Sequence, residues 1–77
     1  MHRVVVYHAA DCHLCRQALE VVEEARRDLS FDLDVIDITG DAELEARHRE
    51  WLPVVEIDGE RAFTYFVEPS ALRRRLA

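Results

Sequence analysis

The sequence predicts an α/β fold with element order βαβαββα: a four-stranded mixed sheet with helices on both faces. Three observations carry this. Arg3 to His8 is a Val/Tyr-rich run, followed by apolar residues at helical spacing and then by a second strand-like run from Phe31 to Ile38. Such a crossover makes the first two strands parallel, with a right-handed connection. Asp58-Gly59 sits between the apolar runs Val54–Ile57 and Arg61–Phe66, the strongest short-range signal for a hairpin, which makes the last two strands antiparallel. The length of 77 residues with 49% hydrophobic content fits one folded domain, 1–77. A domain of that size buries only about 60% of the surface its unfolded chain exposes, so its core is thin.

Taken in order, Arg3–His8 is almost wholly apolar and reads as a strand buried on both faces. Leu14 to about Leu29 reads as a helix, with Leu14, Ala18, Val21, Val22, Ala25 and Leu29 on one stripe. Asp11 stands ahead of it as a candidate cap, and Arg26-Arg27 complement its C-terminal dipole. Phe31–Ile38 places Phe31, Leu33 and Val35 on one face, while the other begins acidic, the pattern of an edge or near-edge strand. Asp41 to about Trp51 is a short helix capped by Asp41, with Leu44, His48 and Trp51 on one side. Val54–Ile57 and Arg61–Phe66 form the hairpin, and Pro69–Leu76 a last helix with proline in its first turn, packing through Leu72 and Leu76.

Composition excludes several function classes. There are 10 basic residues, all Arg, against 16 acids, a formal net charge of −6. Binding nucleic acid through its phosphates needs a basic face, so no nucleic-acid partner is expected. The middle third is the most acidic: residues 31–60 hold two Arg and ten acids, whereas residues 61–77 hold four Arg and one acid. Arg73-Arg74-Arg75 reads either as a docking patch or, more simply, as the cationic end of a helix. No apolar run approaches the length of a membrane span, so no membrane partner is expected. Val4–Tyr7 is too short for a secretory signal, and two cysteines are too few for a disulfide scaffold. The expected location is the cytoplasm.

The chemistry concentrates in Cys12-His13-Leu14-Cys15, where the first strand ends and the first helix begins. A cysteine at a helix N-terminus faces unsatisfied N–H groups and the positive end of the dipole, and both favour thiolate over thiol. Such positions lower the thiol pKa from about 8.5 into the range of roughly 3.5–7.5. Cys12 is then at the cap and accessible, with Cys15 one turn inside, close enough for the sulfurs to reach disulfide geometry. Cys12 is the candidate attacking thiolate and Cys15 the resolving cysteine. His13, when protonated, adds to thiolate stabilisation; the alternative is an exposed residue without consequence. His8 reads as a strand-end residue. Two other readings of the cysteine pair stand beside this one. It could be half of a metal or cluster site, completed by His2, His8, His13 or His48 or by a second copy, because structural zinc wants four ligands. It could also be a pair of inert buried thiols. A binding module whose redox chemistry is incidental is a further alternative.

These residues resemble the glutaredoxin-like branch of the thioredoxin superfamily, in particular its short bacterial members. The resemblance spans nearly the whole chain. It rests on Val4-Val5-Val6-Tyr7 leading into Cys12-x-x-Cys15, on Val35-Ile36-Asp37-Ile38, on Leu52-Pro53-Val54-Val55 followed by Ile57-Asp58-Gly59, and on the C-terminal helix. It implies a thioredoxin-like, glutaredoxin-type fold and thiol–disulfide exchange through Cys12 and Cys15. It implies that the Leu52–Pro53 bond is cis, although X–Pro bonds are usually trans, and that it lies against the cysteine pair. The backbone N–H and C=O of Leu52 would then be free to pair with an extended substrate as an added strand. His13, Leu14, Leu52 and Pro53 are the implied substrate-binding residues, with no metal ligand and no bound cofactor. Leu14 and Trp51 would add apolar surface beside Cys12, the alternative for Trp51 being core packing. The implied partners are a disulfide-containing protein or a low-molecular-weight thiol, together with a reductase the sequence does not name, and the expected state is a monomer.

Glutathione is a candidate reductant, and several departures count against it. Glutathione-using members commonly carry a Gly-Gly pair and a following Asp near the last helix, whereas Phe63 to Ser70 here contains no glycine. His13 follows Cys12 where Pro or Gly is usual, and Trp51 stands where a threonine is common. Asp11 replaces the Trp found before the first cysteine of thioredoxins. An acid there raises the Cys12 pKa and opposes the helix dipole.

Overall fold

A computed structural model describes residues 1–77. The elements are β1 (His2–His8), α1 (His13–Arg26), β2 (Phe31–Asp37), α2 (Ala42–His48), a single 3₁₀ turn (Arg49–Trp51), β3 (Val54–Ile57), β4 (Glu60–Thr64) and α3 (Pro69–Leu76). The sheet order is β2-β1-β3-β4. β1 runs parallel to β2, with His2 opposite Phe31 and His8 opposite Asp37. β3 is antiparallel both to β1 and to β4. The mixed sheet and the edge position of β2 are therefore as the sequence predicts. β1 is central because its apolar side chains find cover that the acidic β2 does not need.

The β3–β4 connection is a two-residue turn in which Asp58 (φ 53°) and Gly59 (φ 86°) both adopt positive φ. That geometry matches the twist of the flanking strands and favours Asp-Gly. The Asp58 carboxylate also reaches the start of β1, accepting the Arg3 N–H at 2.9 Å and meeting His2 Nδ1 at 2.6 Å. The Arg3 amide first, and His2 second, hold the Asp58 carboxyl below the ordinary aspartate range.

α1 and α3 cover one face. Ala18, Val22 and Ala25 of α1 and Leu72 and Leu76 of α3 pack with Val4, Val6, Val55, Ile57 and Phe31 in the main core. The other face is thinner. α2 covers it through His48, whose ring stacks on Tyr7 with centroids 4.1 Å apart and planes 20° apart. β1 is accordingly closed on one face only: Val4 and Val6 are fully buried, while Val5 and Tyr7 on the opposite face are half-buried. This corrects the expectation of a strand buried on both faces; one two-turn helix is too small to seal the second.

Several element ends differ from the sequence reading. α1 stops at Arg26 rather than near Leu29, because the N–H groups of Arg27 and Asp28 turn back to the carbonyls of Glu24 and Ala25, both at 3.2 Å. Such i→i−3 bonds tighten and end a helix. β2 ends at Asp37, although Ile38 remains fully buried and donates its N–H to the His8 carbonyl at 2.9 Å. α2 gives way to the 3₁₀ turn after His48, and the tighter pitch takes Trp51 off the buried stripe and leaves it 42% exposed. β4 begins at Glu60 and ends at Thr64, because Tyr65 adopts φ 67° and leaves the extended region. α3 and the Asp41 cap of α2, which accepts the Leu44 N–H at 3.0 Å, are as predicted. Arg73 is held by Asp28 at 2.8 Å, which ties α3 to the end of α1.

His48 is the one buried polar side chain. Arg61 Nη2 lies 3.4 Å from its Nδ1, and a guanidinium only donates, so Nδ1 accepts and Nε2 carries the proton. Nε2 is buried without a partner. Burial first, then the cations Arg61 and Arg47, push the imidazole pKa down, and Glu56 opposes them weakly. The unfolded chain restores an ordinary histidine near about 6.5. Below that pH the unfolded state takes up a proton that the folded state resists. The stability linked to neutral His48 is thus complete above about pH 6.5 and is lost as pH falls toward the folded value. Urea midpoints should show wild type losing ground to His48→Phe between pH 7.5 and 5.5; parallel curves for the two proteins would refute this.

Candidate functional site

The site begins where β1 runs out. Past His8 the chain folds back so that the Cys12 N–H donates to the Ala9 carbonyl at 3.2 Å. Cys12 itself is extended (φ −99°, ψ 108°) and is the N-cap of α1. Its Sγ accepts the Cys15 N–H at 3.1 Å. A sulfur takes the role usually played by a Ser, Thr, Asn or Asp oxygen. The cap is therefore Cys12 and not Asp11, whose carboxylate turns instead toward Arg49, 3.7 Å away. No acid occupies the first turn of α1, so nothing within the helix offsets the positive end of its dipole.

Cys12 and Cys15 are joined by a disulfide, with Cα atoms 5.2 Å apart. The two sulfurs have different surroundings. Cys15 is fully buried and packs with Ala9, Ile38 and Leu52, whereas Cys12 is half-buried at the margin of the same cluster. One sulfur can be approached and the other waits behind it.

The other predicted site residues fall in two groups. His13, exposed, and Leu14, half-buried, form the outer edge of the first turn. His13 Nδ1 meets Arg16 Nη2 at 3.3 Å, and Leu14 lines a shallow hollow of about 110 Å³ with Gln17, Val21, Tyr65 and Phe66. Leu52 and Pro53 come from the opposite side. Their peptide bond is cis, as the resemblance implies. Pro53 is buried immediately before β3, next to Leu52, which shares a buried cluster with Cys15. Leu52 lies outside the sheet ladders, and its C=O accepts no hydrogen bond from the chain. Two of the remaining histidines lie away from the pair: His2 is bound to Asp58 at the far end of β1, and His48, the last residue of α2, is stacked on Tyr7, while His8 ends β1 ahead of the cysteine loop. No group of three or more His, Cys, Asp or Glu side chains is arranged to hold a metal.

Two features escape the sequence reading. Tyr65 and Phe66, 40% and 69% accessible, join Trp51, which the sequence reading offers as exposed apolar surface and which is 42% accessible, in one aromatic surface. Tyr65 is fixed there by its N–H to the Pro53 carbonyl, by its hydroxyl to the Glu50 carbonyl (both 3.1 Å), and by the Trp51 ring 6.0 Å away. Strand periodicity absorbs Tyr65 and Phe66 into β4; the usable signal is an aromatic pair immediately ahead of Val67-Glu68-Pro69. Arg49 is the second, and its only sequence mark is its place three residues ahead of Leu52.

The family described as glutaredoxin-like domain (DUF836) matches residues 3–77. The chain belongs to that family. An uncharacterized protein of Mycobacterium tuberculosis is 33% identical over 73 residues, which covers 88% of this chain and 75% of its own length. The X-ray structure of the X. campestris protein XcR50 superposes with a TM-score of 0.76 at 32% identity, covering 95% of this chain and 93% of that one. Chloroplastic thioredoxin z superposes with a TM-score of 0.81 at 16% identity over 99% of this chain and 75% of its own, which establishes a thioredoxin-like fold.

In this glutaredoxin-like domain, fold and bonded cysteine pair together indicate thiol–disulfide chemistry. Its outer and inner sulfurs should differ in reactivity after reduction. Iodoacetamide in limiting amount should modify Cys12 before Cys15 by a wide margin, read by peptide mass spectrometry; equal labelling in the folded protein would show that the burial of Cys15 does not persist in the dithiol.

Proposed function

We propose that this domain is a small dithiol–disulfide oxidoreductase. The observation that carries the reading is a half-buried sulfur capping a helix, with a fully buried sulfur one turn behind it. In the reduced protein the Cys12 thiolate is the group that the Cys15 N–H and the dipole of α1 favour. Charge-assisted hydrogen bonds of this type are stronger than neutral ones. The thiolate attacks one sulfur of a substrate disulfide R–S–S–R′, forming Cys12–S–S–R and releasing R′–S⁻, which takes a proton from solvent. Cys15, deprotonated to solvent as the mixed disulfide opens the site, then attacks the Cys12 sulfur. R–S⁻ leaves, and the Cys12–Cys15 disulfide closes. The substrate gains two electrons, and an external dithiol or two monothiols return them to the protein.

Substrate binding is assigned to His13 and Leu14 on the α1 side and to Leu52 and Pro53 on the other. The unpaired Leu52 carbonyl supports pairing with an extended substrate segment, as in β-strand addition. The exposed Trp51, Tyr65 and Phe66 favour a protein disulfide over a small thiol as substrate. The absence of glycine between Phe63 and Ser70 counts against glutathione as the reductant. A monomer in the cytoplasm, acting without nucleic acid or membrane, is part of the proposal. No helix is long and apolar enough to cross a membrane.

Two measurements test this. Titration against glutathione buffers, followed by thiol-alkylation mass shift, should give a reversible two-electron transition between about −300 and −120 mV; absence of a reversible Cys12–Cys15 disulfide would remove the dithiol mechanism. In a disulfide-reductase assay with a reductant supplied, Cys12→Ser should fall to the uncatalysed background. Cys15→Ser should instead accumulate a mixed disulfide on Cys12. Full activity of Cys12→Ser would end the proposal.

A further inference from the structure

Asp11 poses a difficulty for the mechanism, because a carboxylate next in the chain to Cys12 disfavours the thiolate. The structure provides a counterpart from another part of the fold. Arg49 opens the 3₁₀ turn that leads to Leu52 and Pro53, and its Nη1 lies 3.7 Å from Asp11 Oδ1. Arg49 is itself anchored. Its Nε and Nη2 donate to Glu45 Oε1 at 3.1 and 2.8 Å. Glu45 Oε2 in turn accepts the Gly40 N–H at 3.1 Å. These bonds fix the guanidinium before Asp11 reaches it, so the mobile member of the pair is the carboxylate, whose side chain is 85% exposed.

We propose that Arg49 is a positioning residue for Cys12: it draws the Asp11 carboxylate toward α2 and offsets its charge, so that the acid beside the nucleophile does not suppress the thiolate. The inference rests on the reading of Cys12 as the attacking group. The other charged or titratable side chains near this end of the sheet are His13, Arg16, His8 and Asp37, and the Asp37 carboxylate is held below its ordinary range by Thr39, its N–H first, and then by His8 and Arg49. His13 meets Arg16, and Asp37 accepts the Thr39 N–H at 2.9 Å. His8 closes β1. The same Arg49 links the loop before Cys12 to α2 and to the segment entering Pro53, from which the chain order keeps that loop apart.

The test measures the alkylation rate of Cys12 in the reduced full chain across pH, by mass spectrometry, with iodoacetamide as probe. Exposed ion pairs shift equilibria by a small factor. At a pH below the thiol pKa, Arg49→Gln should therefore slow Cys12 alkylation by about threefold. Asp11→Asn in the Arg49→Gln background should return the rate to the wild-type value, and Arg49→Lys should keep most of it. In 1 M salt the difference between wild type and Arg49→Gln should shrink. A purely structural role for Arg49 would not be rescued by neutralising Asp11. An unchanged rate in Arg49→Gln, or a slowed rate that Asp11→Asn leaves slowed, would overturn the inference. Wild-type Cys12 reacting no faster than free cysteine at the same pH would instead defeat the thiolate reading, so the two failures are distinguishable.

Discussion

The hydrogen bond from the Cys15 N–H to the Cys12 sulfur is the interaction around which the site is arranged. It begins α1 at His13, and so decides which residues of that helix face the sheet. It places one sulfur at the positive end of the helix and the other in the small cluster with Ala9, Ile38 and Leu52. Helix capping and the placement of the outer sulfur, the proposed nucleophile, are thus one event. A conventional oxygen cap at position 12 would start the same helix and lose the chemistry.

The sheet supplies the counterforce. β1 is paired on both sides, by β2 in parallel and by β3 in antiparallel. The loop that leaves it is therefore anchored by a strand with no free edge. α1 and α3 seal one face through Ala, Val and Leu side chains. The other face relies on a two-turn helix and a stacked His48–Tyr7 pair. Arg49, which reaches Asp11, is carried at the end of that lightly covered side.

Much of this is legible in the residues, and the misses have physical causes. Pro69, Leu72 and Leu76 give α3 its bounds, because proline and two core leucines leave little freedom. Asp58-Gly59 gives the hairpin, because both central positions need positive φ. The Cys12–Cys15 pair is visible because local spacing determines it. Tertiary effects are not visible in the same way. The path of Trp51 depends on a change of helical pitch, and the exit from β4 depends on one residue, Tyr65, taking a left-handed conformation without being glycine. Arg49 leaves no mark of its pairing, because its partner Asp11 is distant in sequence and no periodicity links the two. The cis Leu52–Pro53 bond follows from the resemblance and not from any local pattern.

The two halves of the site come from adjacent antiparallel strands that are far apart along the chain. The cysteine motif follows β1, while Leu52 and Pro53 precede β3, and Val54 of β3 lies opposite Tyr7 of β1. Reactivity is accordingly a local property and recognition a global one. A peptide spanning only β1 and α1 would keep both sulfurs and lose Leu52 and Pro53, the residues to which substrate recognition is proposed to belong. On the proposed function, selectivity would arise only once the most distant strand pairing, β1 with β3, has formed, so a partly folded chain would have thiols but no discrimination.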